Sequence, residues 1–327
     1  QKLILKNCNI EGEGLEIGPS FRPIAPKKLG FNVKTMDHLD RKGLIEKYKG
    51  DSNVGELIKN IEEVDYVWSG QSYIDLIGSD KKFDYIISSH LIEHIPDLIQ
   101  HLKGCSDLLK SDGVYTLVVP DKRYTFDYFR QLTTVKDCIL TYNLKNHSVA
   151  SVTEYFLNAV QQDDEISWSK QESLRDFSFL YGIDSAYSYF NSRHNSDDYF
   201  DIHESVFTPS SFELIIADLK ILGLTDLEVI SLSPAELIGE FYVTLKKSNN
   251  SRHITNNERI LLVKKVMSEC VEPLECDLIN KYFEILNYNF MPKSIEKADY
   301  FVDEFDISNK QKTFLLRGWI KLSDEFN

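Results

Sequence analysis

The sequence predicts an α/β fold built on a mostly parallel sheet of seven strands, with helices on both faces. Residues 1–120 alternate between short apolar strand patterns and helix patterns, and two further strand patterns lie within residues 226–245. Strand–helix alternation implies βαβ crossovers, which place successive strands parallel to one another. A chain of 327 residues can hold such a domain together with an insertion and an extension.

The strand patterns are short, and most end at a turn signal or a polar residue. The five that precede residue 121 are 14–18, 31–37, 64–68, 83–89 and 114–119. Ile86 and Ile87 suit the fourth strand for burial on both faces, and Pro120 ends the fifth. Residues 226–232 and 240–245 have the spacing of an antiparallel pair at the edge of the sheet.

Two helices have clear boundary signals. Between the fourth and fifth strands, Asp97 is a suitable N-cap, apolar residues recur at spacings of three and four, and Gly113 is expected to end the helix. The other helix is predicted to begin at Thr208, with Pro209 at its first position, and to end at Gly223.

Residues 121–205 interrupt the alternation. They are richer in aromatic residues than the chain as a whole, where these make up 12%, and they show no clear strand period. We therefore expect a helical lid insertion within a domain formed by residues 1–247. Residues 248–258 are polar and aperiodic, which is typical of a linker. Residues 259–327 are expected to form a helical C-terminal extension and are a candidate interaction segment.

Composition excludes several classes of protein. The net charge is −14, and a surface this acidic repels phosphate backbones, so nucleic acid is not an expected partner. No apolar run reaches the roughly 18 residues of a transmembrane helix, so no membrane span is predicted. Five scattered cysteines and no secretion-signal pattern favour a reducing cytoplasm as the location.

A ligand site is predicted where the first two strands end. Gly18 lets a ligand approach the backbone, and Asp37, about 20 residues later, can accept both hydroxyl groups of a ribose. The turn has a single glycine, and Pro23 and Pro26 prevent a long helix directly after it, so a nucleoside is favoured over a dinucleotide. The alternative is that Glu16 and Asp37 are solvated strand ends.

A second polar cluster follows the fourth strand. His90, Glu93 and His94 share one turn at the carboxyl edge of the sheet, where open α/β sheets bind ligands. Their spacing matches the inverted zinc motif His-x-x-Glu-His. That motif lies on a long helix, however, and Pro96 disfavours one here. Structural histidines that bond to loop carbonyls are the other interpretation.

Together these motifs resemble those of class I S-adenosylmethionine-dependent methyltransferases. The resemblance covers residues 11–247 and rests on 16–20, Asp37, 83–97 and 108–120. The match extends through 120–130, 154–158, 203–212 and 240–245, which together resemble a bacterial subgroup found with glycosyltransferases of surface-polysaccharide synthesis. Residues 120–124 and 207–212 are the blocks that narrow the resemblance to this subgroup. The first motif departs from the family because it lacks the second and third glycines.

The resemblance implies a Rossmann-like fold, S-adenosyl-L-methionine as cofactor and S-adenosyl-L-homocysteine as product. It also implies which residues bind the cofactor. Glu16, Gly18, Pro19 and Ser20 would line the methionine part, and Asp37 would bind the ribose. His38, Gly70 and Gln71 would lie near the adenine, and Ser89 and His90 beside the sulfonium.

The implied reaction is methylation of a sugar hydroxyl in a bacterial surface polysaccharide or its precursor. A hydroxyl is a poor nucleophile and benefits from a base. His203 and His94 are the catalytic candidates, beside His90, and Glu204 is expected to orient His203. We assign no metal ligands, although a metal at His90, Glu93 and His94 remains open. The alternative is that His203 has only a structural role and holds the insertion in place.

Two other functions remain open. The first is a non-catalytic methyltransferase-like module that organises a glycan-biosynthesis complex through residues 259–327. The second is a methyltransferase of a small metabolite. The expected partners are the glycan or glycan-precursor acceptor and a glycosyltransferase domain or protein.

Overall fold

The computed structural model describes residues 1–169, 177–192, 200–234, 239–248 and 254–270, together with the backbone of 302–308 and 313–318. The chain forms two compact units, Gln1–Pro273 and Leu274–Asn327. The strands of the first unit are β1 (Gly14–Ile17), β2 (Val33–Asp37), β3 (Tyr66–Val67), β4 (Phe83–Ser89), β5 (Leu109–Pro120), β6 (Val160–Gln162), β7 (Phe177–Phe179), β8 (Leu227–Pro234) and β9 (Glu240–Lys247). Its helices are α1 (Arg41–Tyr48), α2 (Tyr73–Ile77), α3 (Leu98–Leu108), α4 (Val135–Leu140), α5 (Val149–Asn158), α6 (Ile183–Ser192), α7 (Pro209–Ile221) and α8 (256–270).

Seven of these strands form one sheet in the order β3-β2-β1-β4-β5-β9-β8. All neighbouring pairs are parallel except the two that include β9, which is antiparallel to both β5 and β8. This confirms the predicted fold class. The strand order reverses between β1 and β4, and in open α/β sheets the carboxyl edge at such a point binds ligands.

Apolar side chains cover both faces of the sheet. One face packs against α3 and α7 through a large cluster that includes Leu15, Phe83 and Ile86. The other face carries a smaller cluster that includes Tyr85 and Ile87. The adjacent residues of β4 therefore point to opposite faces, and both are buried, as predicted for a central parallel strand.

The predicted helix starts are confirmed. The Asp97 side chain accepts the backbone N–H of Gln100 at the start of α3, at 2.9 Å, and Thr208 forms a capping box at the start of α7. The predicted end of α3 at Gly113 is wrong, because the helix ends at Leu108 and Gly113 lies in β5. A Cβ at that position would lie 2.9 Å from the carbonyl oxygen of Phe83, so close strand packing explains the glycine.

The insertion has its own core. Helices α5 and α6 pack around Val152, Tyr155, Phe156 and Ala186. The insertion contains helices α4, α5 and α6, together with a small antiparallel pair, β6 and β7, that was not predicted. Each strand has only three residues, too few to show a period in the sequence. Residues 170–176 and 193–199 lie outside the described residues, and the role of the insertion as a lid stays a prediction.

The C-terminal boundaries differ from those predicted. Helix α8 begins inside the predicted linker and belongs to the first unit, where the Arg259 guanidinium donates two hydrogen bonds to Asp218, each of 2.8 Å. In the second unit, β10 (Val302–Ser308) pairs with β11 (Thr313–Gly318) as an antiparallel hairpin. The expectation of a helical extension is therefore wrong for these residues. Much of 259–327 lies outside the described residues, and its role in interactions stays a prediction.

The part of the chain that the structure describes holds no helix with the length and apolarity that a membrane crossing requires.

Candidate active site

The carboxyl ends of β1, β2 and β4 meet at one edge of the sheet. Ile17 pairs with Met36 on one side and with Ser88 on the other. The next residue, Gly18, donates its N–H to the Met36 carbonyl at 2.8 Å. The predicted cofactor residues that follow these strands therefore lie along one edge, at the point where the strand order reverses.

The turn after β1 has an unusual backbone. Gly18 has φ +68°, and a Cβ there would lie 3.1 Å from a methyl group of Leu91. Ser20 and His90 also have positive φ, at +45° and +49°, although neither is glycine. Such conformations are uncommon outside glycine and cluster at binding sites. Two of them on the segments after β1 and β4 indicate a site built at this edge.

Asp37 has the environment that a ribose-binding carboxylate needs. Its side chain is 5% exposed and accepts the backbone N–H groups of Ser20, at 3.2 Å, and His38, at 2.8 Å. The Ser20 hydroxyl is buried and has no hydrogen-bond partner among the described residues. A carboxylate next to an unpaired hydroxyl fits the polar groups of a nucleoside ligand.

Glu16 is engaged within the chain. Its two carboxylate oxygens accept the backbone N–H groups of Ile24, at 2.6 Å, and Ala25, at 3.0 Å. Burial raises the pKa of Glu16 to about 7, despite these hydrogen bonds. These bonds hold the loop after Pro19 and Ser20 in place, and contact of Glu16 with a cofactor stays a prediction.

The turn after β3 is tied to the end of β2. Trp68 donates its backbone N–H to the Asp37 carbonyl at 2.8 Å and its indole N–H to the Gln71 carbonyl at 2.7 Å. Gly70 has φ +98°. The turn that carries the predicted residues Gly70 and Gln71 is therefore joined through Trp68 to the end of β2.

Near the end of the insertion, the His203 ring is held by a buried carboxylate. Its Nδ1 lies 2.5 Å from a carboxylate oxygen of Asp127. Arg130 donates to the second oxygen of Asp127 and to the His203 carbonyl, both at 2.8 Å. Burial raises the pKa of Asp127, but the charges and hydrogen bonds of His203 and Arg130 outweigh it and hold that pKa below its usual range. With Nδ1 engaged, Nε2 of His203 is the atom left for a ligand.

The prediction that Glu204 orients His203 is wrong. Glu204 accepts hydrogen bonds from His147, at 2.8 Å, and from the Ser151 hydroxyl, at 2.5 Å. Asp127 takes the expected role instead. The sequence feature that could have indicated Asp127 is its spacing of three residues from Arg130, in the aromatic segment after the fifth strand.

His94 lies against His203. The two rings meet edge to face, with their centres 4.7 Å apart. His94 Nδ1 lies 3.1 Å from both the Ile202 carbonyl and an Asp201 oxygen, and its Nε2 lies 4.0 Å from Glu93. Burial lowers the pKa of His94, but the Asp201 hydrogen bond and the charge of Glu93 raise it by more, so the result lies above the ordinary value.

Glu93 occupies the centre of this group. Its side chain is fully buried, at 0% exposure, and neither oxygen has a hydrogen-bond partner among the described residues. His90 Nδ1 lies 3.6 Å from Glu93, and His90 Nε2 lies 3.0 Å from Glu240 of β9, a partner that the sequence did not predict. We call Glu93, His94 and His203 the acceptor cluster.

A family model described as a methyltransferase domain matches residues 5–176, just over half of the 327-residue chain. The chain belongs to this methyltransferase family. By domain and fold it is an S-adenosylmethionine-dependent methyltransferase, and S-adenosyl-L-methionine is its cofactor. The assignment of Gly18, Ser20 and Asp37 to binding this cofactor stays a prediction.

Solved methyltransferase structures resemble this one distantly. They include the methyltransferase CcbJ of Streptomyces caelestis, with 10% identity, TM-score 0.39 and coverage of 75% of this chain and 93% of the other. A methyltransferase of Clostridium acetobutylicum has 13% identity, TM-score 0.37 and coverage of 76% and 89%. The glycopeptide N-methyltransferase MtfA, complexed with S-adenosyl-L-homocysteine, has 10% identity, TM-score 0.36 and coverage of 76% and 87%. No curated protein matches the sequence significantly.

Proposed function

We propose that this methyltransferase methylates a hydroxyl oxygen, and that the hydroxyl belongs to a sugar of a bacterial surface polysaccharide or of its lipid- or nucleotide-linked precursor. The observation that supports oxygen as the methylated atom is the buried pair of Asp127 and His203. A hydroxyl must lose its proton as it attacks, and a neutral imidazole whose Nδ1 is held by a carboxylate offers Nε2 as the proton acceptor.

In this proposal the cofactor-binding residues align the methyl group of the cofactor with the acceptor. S-adenosyl-L-methionine supplies a methyl group on a sulfonium, which is already a strong electrophile. The protein therefore contributes mainly by holding the acceptor oxygen in line with that methyl group. In this proposal Gly18, Ser20 and Asp37 fix the nucleoside, while the acceptor cluster receives the hydroxyl from the side of the insertion.

A sugar acceptor is supported by two features. The Phe126 ring lies 4.5 Å from the His203 ring, so an aromatic surface borders the proposed base, and aromatic rings stack on the apolar faces of sugars. The motifs in 120–130, 154–158 and 203–212 resemble those of methyltransferases found with glycosyltransferases. A cytoplasmic glycosyltransferase is accordingly the partner we propose.

The test is a methyl-transfer assay with a panel of nucleotide sugars and short glycans, compared with phenols and amines of similar size. We expect methylation of a sugar oxygen, located by mass spectrometry and NMR of the product. Transfer to amines or phenols alone would contradict the sugar proposal. Cofactor binding without transfer to any acceptor class would instead favour a non-catalytic module.

A further inference from the structure

The acceptor cluster has the composition of a metal site. We propose that Glu93, His94 and His203 bind one divalent transition-metal ion, which in turn binds the acceptor oxygen. The site itself is independent of the acceptor's identity, but its catalytic role rests on the proposed function. No metal ligands follow from the sequence alone, because His203 lies more than a hundred residues from the other two.

The distances suit one ion. Each of the three side chains offers one ligand atom, and these atoms all lie within 4.8 Å of one another. Ions of this class bind imidazole nitrogen and carboxylate oxygen at about 2.0–2.2 Å. At these bond lengths the ligand atoms of a tetrahedral site lie about 3.5 Å apart, so binding would draw the three side chains together by roughly 1 Å.

Each histidine is oriented as a metal ligand. His203 Nδ1 is held by Asp127 at 2.5 Å, and His94 Nδ1 lies 3.1 Å from the Ile202 carbonyl. Ligating histidines commonly use one ring nitrogen for the metal and give the other to a carboxylate or a backbone carbonyl. That arrangement leaves Nε2 of both rings for the ion, and His94 Nε2 lies on the side of Glu93.

The environment of Glu93 points to a bound cation independently of the distances within the cluster. A fully buried carboxyl group without a hydrogen bond is costly unless something else satisfies it. His90 and His94 lie near it, at 3.6 and 4.0 Å, but neither is within hydrogen-bond distance. A cation bound between Glu93 and the two Nε2 atoms would satisfy both the carboxyl group and the unused ring nitrogens.

Two imidazoles and one carboxylate favour zinc, cobalt, manganese or iron over magnesium and calcium, which prefer all-oxygen sites. Three protein ligands leave a coordination position open for a hydroxyl, whose pKa the ion lowers. The O–H bond then breaks with its proton passing to solvent. The oxygen bonds to the methyl carbon as the carbon–sulfur bond breaks, and the sulfur keeps the electron pair. With the ion bound, His203 serves as a ligand, and the ion replaces the imidazole base of the proposed function as the group that promotes loss of the hydroxyl proton.

The experiment uses the full chain without a polyhistidine tag, freed of metal by dialysis against a chelator. Zn²⁺ is titrated by calorimetry, and Co²⁺ by its visible absorption, whose position and intensity report the coordination geometry. We expect one ion per chain and at least tenfold weaker binding in Glu93→Gln and His94→Gln. The matched control is His147→Gln, which alters another buried histidine–carboxylate pair and should leave metal binding unchanged.

Binding of S-adenosyl-L-homocysteine by each variant shows that its fold is intact. No ion bound by the parent protein, or equal affinity in Glu93→Gln and the parent, would overturn the proposal. Methyl transfer that persists in excess chelator would refute the catalytic role of the ion and leave the proposed function standing. Metal binding without transfer to any hydroxyl acceptor would refute the proposed function and leave the site standing.

Discussion

Asp37 is the residue on which cofactor affinity should depend most. We expect the protein to bind S-adenosyl-L-homocysteine with micromolar affinity, about −8 kcal/mol. Asp37→Ala should weaken binding tenfold or more, because a buried carboxylate at the tip of β2 would no longer accept the ribose hydroxyls. Calorimetry measures both values.

Asp37→Ala also removes the acceptor for two backbone N–H groups, so a control is needed. Asp40→Ala removes only the N-cap of α1, three residues away, and should bind the cofactor product nearly as well as the parent. Equal affinity in Asp37→Ala and the parent would contradict the assignment of Asp37.

Glu16 should make stability depend on pH. Its pKa is raised from 4.5 to about 7, chiefly by burial, so the folded protein keeps this proton at pH values where the unfolded chain has lost it. The contribution of Glu16 to the free energy of unfolding is therefore constant below about pH 4.5, falls as the pH rises to about 7, and then levels off. A shift of this size corresponds to at most about 3 kcal/mol.

Urea unfolding of the parent and of Glu16→Gln, from pH 4 to 8, tests this contribution. We expect the parent to lose stability relative to the variant as the pH rises through that window. The exposed Glu11→Gln variant is the matched control. A stability of the parent, relative to Glu16→Gln, that stays constant or rises with pH would contradict the raised pKa.

Among the elements, α8 should stabilise the methyltransferase domain. Arg259 bonds to Asp218 of α7 through two nitrogens, and Leu262 is buried. Arg259→Ala should lower the free energy of unfolding by about 1 kcal/mol, since a two-point contact to a largely buried carboxylate is lost. Urea unfolding measures this, with the exposed Lys264→Ala on the same helix as control. Equal losses in both variants would mean that the ion pair contributes nothing.

The elements also show how far the sequence determines the fold. All seven strands of the sheet were predictable. Only two residues of β3 pair, but they lie within the longer, mostly apolar run 64–68, and the other strands and the caps at Asp97 and Thr208 leave clear local patterns. The three-residue strands β6 and β7 leave no such pattern in the sequence. Gly113 misled the prediction because its cause is a close approach to β4, which is a contact between strands rather than a local turn.

At the scale of the whole molecule, the site joins segments far apart in the sequence. The edge with Gly18 and Asp37 was predictable, since parallel strands bring their carboxyl ends together. The partner of His203 was not, because neighbouring side chains point in different directions, that of His203 toward Asp127 and that of Glu204 toward His147. Only the folded insertion brings Asp127 and His203 together.

The insertion should respond to the cofactor. If it is a lid, hydrogen exchange in α5 and α6 should slow when S-adenosyl-L-homocysteine binds, whereas the central strands β4 and β5 should change little. The Asp127–His203 contact joins the two ends of the insertion beside the site, so filling the site should order both. Equal protection of α5 and α6 with and without the ligand would contradict a lid.

The most direct test of the account is the turnover of His203→Ala with a hydroxyl acceptor, measured together with its affinity for S-adenosyl-L-homocysteine. Because the proposal places His203 on the acceptor side and Asp37 on the cofactor side, turnover should fall by about 10²–10⁴-fold while cofactor affinity stays nearly unchanged. Full turnover in His203→Ala would contradict the acceptor cluster as the place where the hydroxyl loses its proton.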